Sequence, residues 1–131
     1  LIKVLVGKVK NISSSVQTYS PVSIFDVQFS KPSLIDLNIP KNQTVMVYVI
    51  DGELKFHDDN QIARKGQMIY FDQSTDMINL TSISTTGSYL VLAGAPLNES
   101  VVRYGPFVTN TEDDMKQVML DYQNGKMGTL S

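Results

Sequence analysis

One stretch, residues 45–66, constrains the fold of this chain more than any other. It opens with the apolar run VMVYVI at residues 45–50, which is rich in β-branched and aromatic residues and predicts a strand buried on both faces. The run ends at Asp51-Gly52, a dipeptide that favours a type I′ turn with two positive φ angles. We therefore expect a hairpin at the centre of a sheet.

The second half of this stretch supplies the expected partner strands. Leu54, Phe56 and Ile62 are their apolar positions, and a turn at residues 64–66 closes the unit. The stretch also contains His57, the one histidine in the sequence. A metal site and a plain core are both open interpretations at this point.

Length and composition describe an ordinary globular domain. The chain has 131 residues, of which 42% are hydrophobic and 18% charged, enough for one domain with its own core. The net charge of -2 does not favour direct nucleic-acid binding, and no run of about 20 apolar residues predicts a membrane span. The absence of cysteine excludes disulfides and thiolate chemistry and fits a reducing, cytoplasmic compartment. Because the chain starts at Leu1 without signal-peptide features, we expect a fragment or a processed product.

Short strand patterns with turn signals recur along residues 2–94. Between residues 22 and 29, Phe25, Val27 and Phe29 occupy one face, and Ile35, Leu37 and Ile39 share a face further on. Strand spacings of roughly 8–12 residues predict a β-sandwich or barrel. No helical period separates these strands, so a parallel α/β sheet is disfavoured.

The tail predicts a single helix over residues 111–124. Thr111 can cap it, and the acidic residues 112–114 suit the positive end of the helix dipole. Gly125 fits the C-terminal cap. An apolar stripe at i, i+3, i+4 and i+7 requires a surface to pack on, and it consists of Met115, Val118, Met119 and Tyr122.

The tail segment ESVVRYGPFVTNT, residues 99–111, closely resembles the signature near the C-terminus of the pirin family, in the cupin superfamily. The segments IFDV (24–27), YVIDGE (48–53) and LVLAGAPL (90–97) are similar to the same family's C-terminal half. The family usually has Pro where Ser100 stands and Met where Thr109 stands. The resemblance extends over nearly all of the chain.

Pirins are bicupins, with two β-sandwich halves of like fold, so the resemblance implies an all-β chain with a C-terminal α-helix. Residues 1–97 would form a single cupin-type double-stranded β-sandwich (jelly roll), and residues 98–131 a tail and helix packing on that core or on a partner. The implied function is a metal-free C-terminal cupin domain with a structural and interaction role. Its partner would be the N-terminal cupin half or a second copy of the chain.

The resemblance also identifies where cupin metal ligands would lie. Counting from Tyr48 and Gly66, the corresponding positions are roughly Asn38, Pro40, Val45 and Met77, none of which is a good ligand for iron or zinc. In the family the iron site, made of three histidines and a glutamate, lies in the N-terminal half. We therefore expect no cofactor in this chain.

His57 is flanked by Asp58 and Asp59 in an expected turn. A surface histidine beside two carboxylates is the interpretation that we favour, and a weak metal contact by these three residues is the alternative. Nucleophile elbows and glycine-rich phosphate loops are absent from the sequence, so no catalytic residue is assigned.

Two further possibilities concern binding. Arg103, Tyr104 and Phe107 are candidates for an interaction surface, although they could simply fix the path of the tail. A small-ligand pocket inside the barrel would be lined by residues such as Phe25, Met46, Tyr48 and Tyr70.

A separate alternative, from the enzyme class, makes the chain part of an iron-dependent quercetin 2,3-dioxygenase-like enzyme whose metal site lies in the N-terminal half.

Overall fold

The computed structural model describes residues 1–56, 61–71 and 77–128. Within these ranges the chain forms short antiparallel strands followed by one helix. The elements are β1 (Ile2–Val6), β2 (Lys8–Val9), β3 (Ile12–Ser13), β4 (Val22–Phe29), β5 (Ser33–Asn38), β6 (Thr44–Asp51), β7 (Glu53–Phe56), β8 (Gln61–Arg64), β9 (Met68–Phe71), β10 (Met77–Ser82), β11 (Gly87–Gly94), β12 (Val102–Tyr104), β13 (Phe107–Thr109) and α1 (Glu112–Gln123).

Two larger sheets form a sandwich. The five-stranded sheet has the order β1-β4-β11-β6-β9, and the four-stranded sheet has the order β5-β10-β7-β8. Side chains from both sheets form one core cluster, which includes Val47 and Val91 from the first sheet and Leu54 and Leu80 from the second. The prediction of an all-β sandwich of cupin type with a C-terminal helix is confirmed.

Alternation along the strands explains which residues reach this core. In β4, Phe25, Val27 and Phe29 are buried, as predicted, because successive side chains of a strand point to opposite faces. In β9, Ile69 and Phe71 are buried while their neighbours are exposed. Each fully buried side chain of this size contributes about 1.5–3 kcal/mol through the apolar surface that it removes from water.

The prediction of a hairpin at Asp51-Gly52 is wrong. The strand before it, β6, pairs with β9 and β11, whereas the strand after it, β7, pairs with β8 and β10 in the other sheet. Gly52 has φ 84°, but Asp51 is not among the residues with positive φ, so the geometry of a type I′ turn is not formed. The dipeptide instead carries the chain from one sheet to the other.

The prediction that residues 45–50 are buried on both faces is also wrong. Val45, Val47 and Val49 are buried in the core, but Tyr48 and Ile50 are 37% and 40% exposed. The reason is that β6 lies inside a sheet whose inner face alone packs on the second sheet.

A second compact unit begins at Leu97 and contains β12, β13 and α1. The two strands form a hairpin, and α1 contacts both of them. Thr111 caps the helix as predicted: its hydroxyl oxygen accepts a hydrogen bond from the Asp114 amide at 3.1 Å. Gly125 has φ 69° just beyond the helix, the left-handed conformation expected there. Within the described ranges, no helix has the length and apolar character that crossing a bilayer requires.

Candidate functional site

The positions expected to correspond to cupin metal ligands lie in different surroundings. Val45 is 3% exposed and belongs to the hydrophobic core. Asn38 and Met77 lie opposite each other on β5 and β10, and both are exposed, as is Pro40. An amide, a thioether and two groups without donor side chains do not suit iron or zinc.

In the part of the chain that the structure describes, no group of three or more His, Cys, Asp or Glu residues could hold a metal ion. The sequence-based prediction about His57, Asp58 and Asp59 falls on residues 57–60, outside the described residues.

The residues proposed for a pocket inside the barrel lie on two different sides of the sheet. Phe25 is buried and faces the interior. Met46, Tyr48 and Tyr70 occupy the alternate positions of β6 and β9, and the two tyrosines are partly or largely exposed. These four side chains therefore do not line one pocket.

The outward positions of the five-stranded sheet form a continuous apolar surface. Strand register places two rows side by side across β4, β11, β6 and β9. The first row consists of Ile24, Leu92, Met46 and Tyr70, and the second of Asp26, Leu90, Tyr48 and Met68. We call the seven apolar members of these rows the outer apolar face.

The sequence contained a signal for this surface. Apolar residues occupy both sets of alternate positions in β6, β9 and β11, and for β6 we interpreted this pattern as burial on both faces. The structure shows that the same pattern can mark a sheet with one buried face and one apolar face whose side chains range from half-buried to exposed. Such contiguous apolar patches mark interaction sites in soluble proteins.

A cavity of about 340 Å³ opens at one end of the sandwich. Its walls come from the β1–β2 link, the segment before β4, the start of β4 and the end of β5. Phe25 and Ile39 line it with buried apolar surface, whereas Lys8, Ser23, Asn38 and Gln43 contribute polar groups. Sequence reasoning missed Gln43, because a glutamine between two turn residues and a strand carries no motif.

The tail residues named as an interaction surface have different roles in the second unit. Arg103 and Tyr104 of β12 are exposed. Phe107 of β13 packs edge-on against Tyr122 of α1, with ring centroids 5.4 Å apart. This contact contributes to holding the helix on the hairpin, so Phe107 fixes the path of the tail while Arg103 and Tyr104 stay available.

Comparison with known proteins places these features in a family. The profile described as "Pirin C-terminal cupin domain" matches residues 24–128. Pirin from Mus musculus is 33% identical over 129 residues, and Pirin-1 from Arabidopsis thaliana is 32% identical over 130 residues; each match covers 97% of this chain. The mouse and plant proteins are covered over 44% and 45% of their own lengths.

A solved structure shares the fold of this chain. The crystal structure of quercetin 2,3-dioxygenase from Acinetobacter baumannii matches with a TM-score of 0.84 and 26% sequence identity. The match covers 99% of this chain and 44% of that chain. The chain thus spans less than half the length of each of these three proteins.

Proposed function

Since the chain belongs to the pirin family, as a Pirin C-terminal cupin domain, we propose that it is a metal-free domain with a structural and interaction role. Its outer apolar face binds the N-terminal cupin half of a longer protein. When that half is absent, a second copy of the chain takes its place. A cytoplasmic location, with no direct nucleic-acid or membrane partner, completes the proposal.

The observation that carries this proposal is the composition of the outer apolar face. Across β4, β11, β6 and β9, Asp26 is the one charged residue in the two rows, and it lies at the end where Lys3 of β1 pairs with it. Interface centres are typically depleted of charge and rich in aromatic residues and methionine. Tyr70 and Met68 are 63% and 54% exposed at its β9 side, so covering them would remove a large apolar area from water.

Sedimentation velocity of the 131-residue chain tests this role. We expect a reversible dimer, and we expect Tyr70→Lys to shift it to monomer because the variant places a charge in the apolar contact. Leu34→Lys is the matched control, since Leu34 is 64% exposed on β5 of the other sheet and should leave the dimer intact. A strict monomer at high concentration, or equal effects of the two substitutions, would contradict the proposal.

Metal analysis tests the metal-free part of the proposal. We expect the purified chain to contain no stoichiometric iron, because the expected ligand positions hold Asn38, Pro40, Val45 and Met77. Tightly bound iron that is lost in His57→Ala would overturn this expectation.

The second candidate function is part of an iron-dependent enzyme of the quercetin 2,3-dioxygenase type. The match to the Acinetobacter baumannii protein of that name favours it. The metal ligands would then belong to the N-terminal half, and this chain would support them by covering that half. Quercetin consumption by the longer iron-loaded protein but not by this chain is the expected result, and turnover by this chain alone would refute it.

A further inference from the structure

The cavity at the end of the sandwich contains a buried polar group that the protein leaves unpaired. Gln43 is 7% exposed and follows the turn at which its amide donates to the Pro40 carbonyl at 2.9 Å. Its side-chain Oε1 is buried and has no hydrogen-bond partner among the described residues. Leaving such a group unsatisfied destabilises the folded state.

Ser82, the other buried polar residue of the described chain, shows the usual solution. Its hydroxyl accepts from the Ser33 amide at 2.8 Å and donates to the Ser33 carbonyl at 3.1 Å. Nearly all buried polar side chains in proteins are satisfied in this way. Gln43 departs from this rule, and because it lines the cavity, a donor group of a ligand is one way to satisfy its carboxamide oxygen.

Lys8 lines the same cavity and contributes a positive charge to it. Lys8 is exposed and has no ion pair among the described residues. The residues that line the cavity include no Asp or Glu, so the ammonium group is not neutralised there. An anionic group of a ligand is therefore favoured at this side.

Several of the other lining residues are apolar. Phe25 and Ile39 are buried, and Pro21 and Pro40 add rigid surface nearer the opening. The volume of about 340 Å³ lies at the small end of ligand sites in proteins. An aromatic ring with one or two small substituents suits this combination of size and lining.

We propose that this cavity binds a small aromatic carboxylate that carries a hydroxyl group. Lys8 binds the carboxylate, the apolar wall contacts the ring, and the Gln43 carboxamide accepts a hydrogen bond from the hydroxyl. The lining residues do not include any member of the outer apolar face, but they do include Asn38 and Pro40, two of the positions compared above with cupin metal ligands.

Titration with 4-hydroxybenzoate, followed by calorimetry and by amide NMR shifts, tests the site. Benzoate lacks the hydroxyl and 4-hydroxybenzyl alcohol lacks the charge, so each should bind about tenfold more weakly. The NMR shifts should concentrate on residues 7–8, 21–25 and 38–43. Equal affinity for 4-hydroxybenzoate and benzoate, shifts elsewhere, or no binding at millimolar concentration would overturn the proposal.

Substitutions assign the two polar roles. Lys8→Met should weaken 4-hydroxybenzoate binding about tenfold or more, whereas Lys3→Met, an exposed lysine of β1 outside the cavity, should change it less than twofold. Gln43→Met should bind 4-hydroxybenzoate and benzoate equally and should raise the melting temperature of the free protein. Unchanged binding in Lys8→Met, which is exposed and not expected to disturb folding, overturns the proposal even if Gln43→Met fails to fold.

Discussion

Gly52 stands where the chain leaves the five-stranded sheet, and two constraints act on it. Its φ of 84° is a conformation that other residues rarely adopt, and an added Cβ would lie 2.5 Å from Ser84 Oγ and 2.8 Å from the Thr86 carbonyl oxygen. Gly66, at the return crossing, has a similar φ of 82° but nothing within 4 Å of an added Cβ. The two glycines therefore separate backbone strain from steric crowding.

We expect Gly66→Ala to lower the free energy of unfolding by about 1 kcal/mol, the cost of the left-handed conformation alone. Gly52→Ala should lower it by about 3 kcal/mol, because backbone atoms must also move. Urea unfolding of both variants measures the difference. Equal losses would show that the contacts around Gly52 relax without cost.

The buried phenol of Tyr89 makes the stability of the fold depend on pH. Burial raises the pKa of the Tyr89 phenol well above its usual value of 10.0. The folded state thus holds the proton more tightly than the unfolded state. The stabilising effect is complete below about pH 10 and is lost as the pH rises toward the folded pKa, by about 1.4 kcal/mol per pH unit.

Tyr89→Phe should remove this dependence while keeping the ring contact with Phe29, whose centroid lies 6.3 Å away. Between about pH 10 and 11, the wild-type free energy of unfolding should fall by about 1 kcal/mol more than that of the variant, because the unfolded phenol is only half ionised at pH 10. Denaturant titrations at the two pH values measure it. An equal decrease in the free energy of unfolding of the two proteins would show that Tyr89 is not the source of the pH dependence.

At the scale of elements, α1 depends on its first turn. Thr111 Oγ1 accepts from the Asp114 amide and also donates to the Asp114 carboxylate at 2.6 Å. Thr111→Ala removes both bonds and should cost about 1 kcal/mol of helix stability. Amide hydrogen exchange in residues 112–123 should accelerate about fivefold as a result. Thr111→Ser keeps the cap and should exchange at nearly the wild-type rate.

For the whole molecule, the outer apolar face and the cavity have no residue in common, although Ile24 of the face lies on β4 between Ser23 and Phe25 of the cavity. Tyr70 belongs to β9, and every residue that lines the cavity precedes β6. Tyr70→Lys should therefore abolish the dimer without changing the affinity for 4-hydroxybenzoate. Lys8→Met should weaken the binding of 4-hydroxybenzoate and leave the dimer intact. Sedimentation and calorimetry on both variants check this. A shared effect would mean that ligand binding and association are coupled.

Much of the local structure follows from the sequence alone. Alternation identifies Phe25, Val27 and Phe29 as one buried face, since the side-chain period of a strand is two and needs no partner to be recognised. Thr111 and Gly125 mark the helix ends through their own backbone and side-chain chemistry. The tail segment also identified the family.

Only the tertiary structure decided which strands pair. Asp51-Gly52 is compatible with a hairpin or with a crossing between sheets, and the choice depends on pairing with residues 68–71 and 77–94, which are distant in the chain. The exposure of Tyr48 and the unpaired Gln43 depend in the same way on what packs around them. Local patterns fix the period and the turns, but packing between distant segments fixes which apolar face is covered and where a cavity remains open.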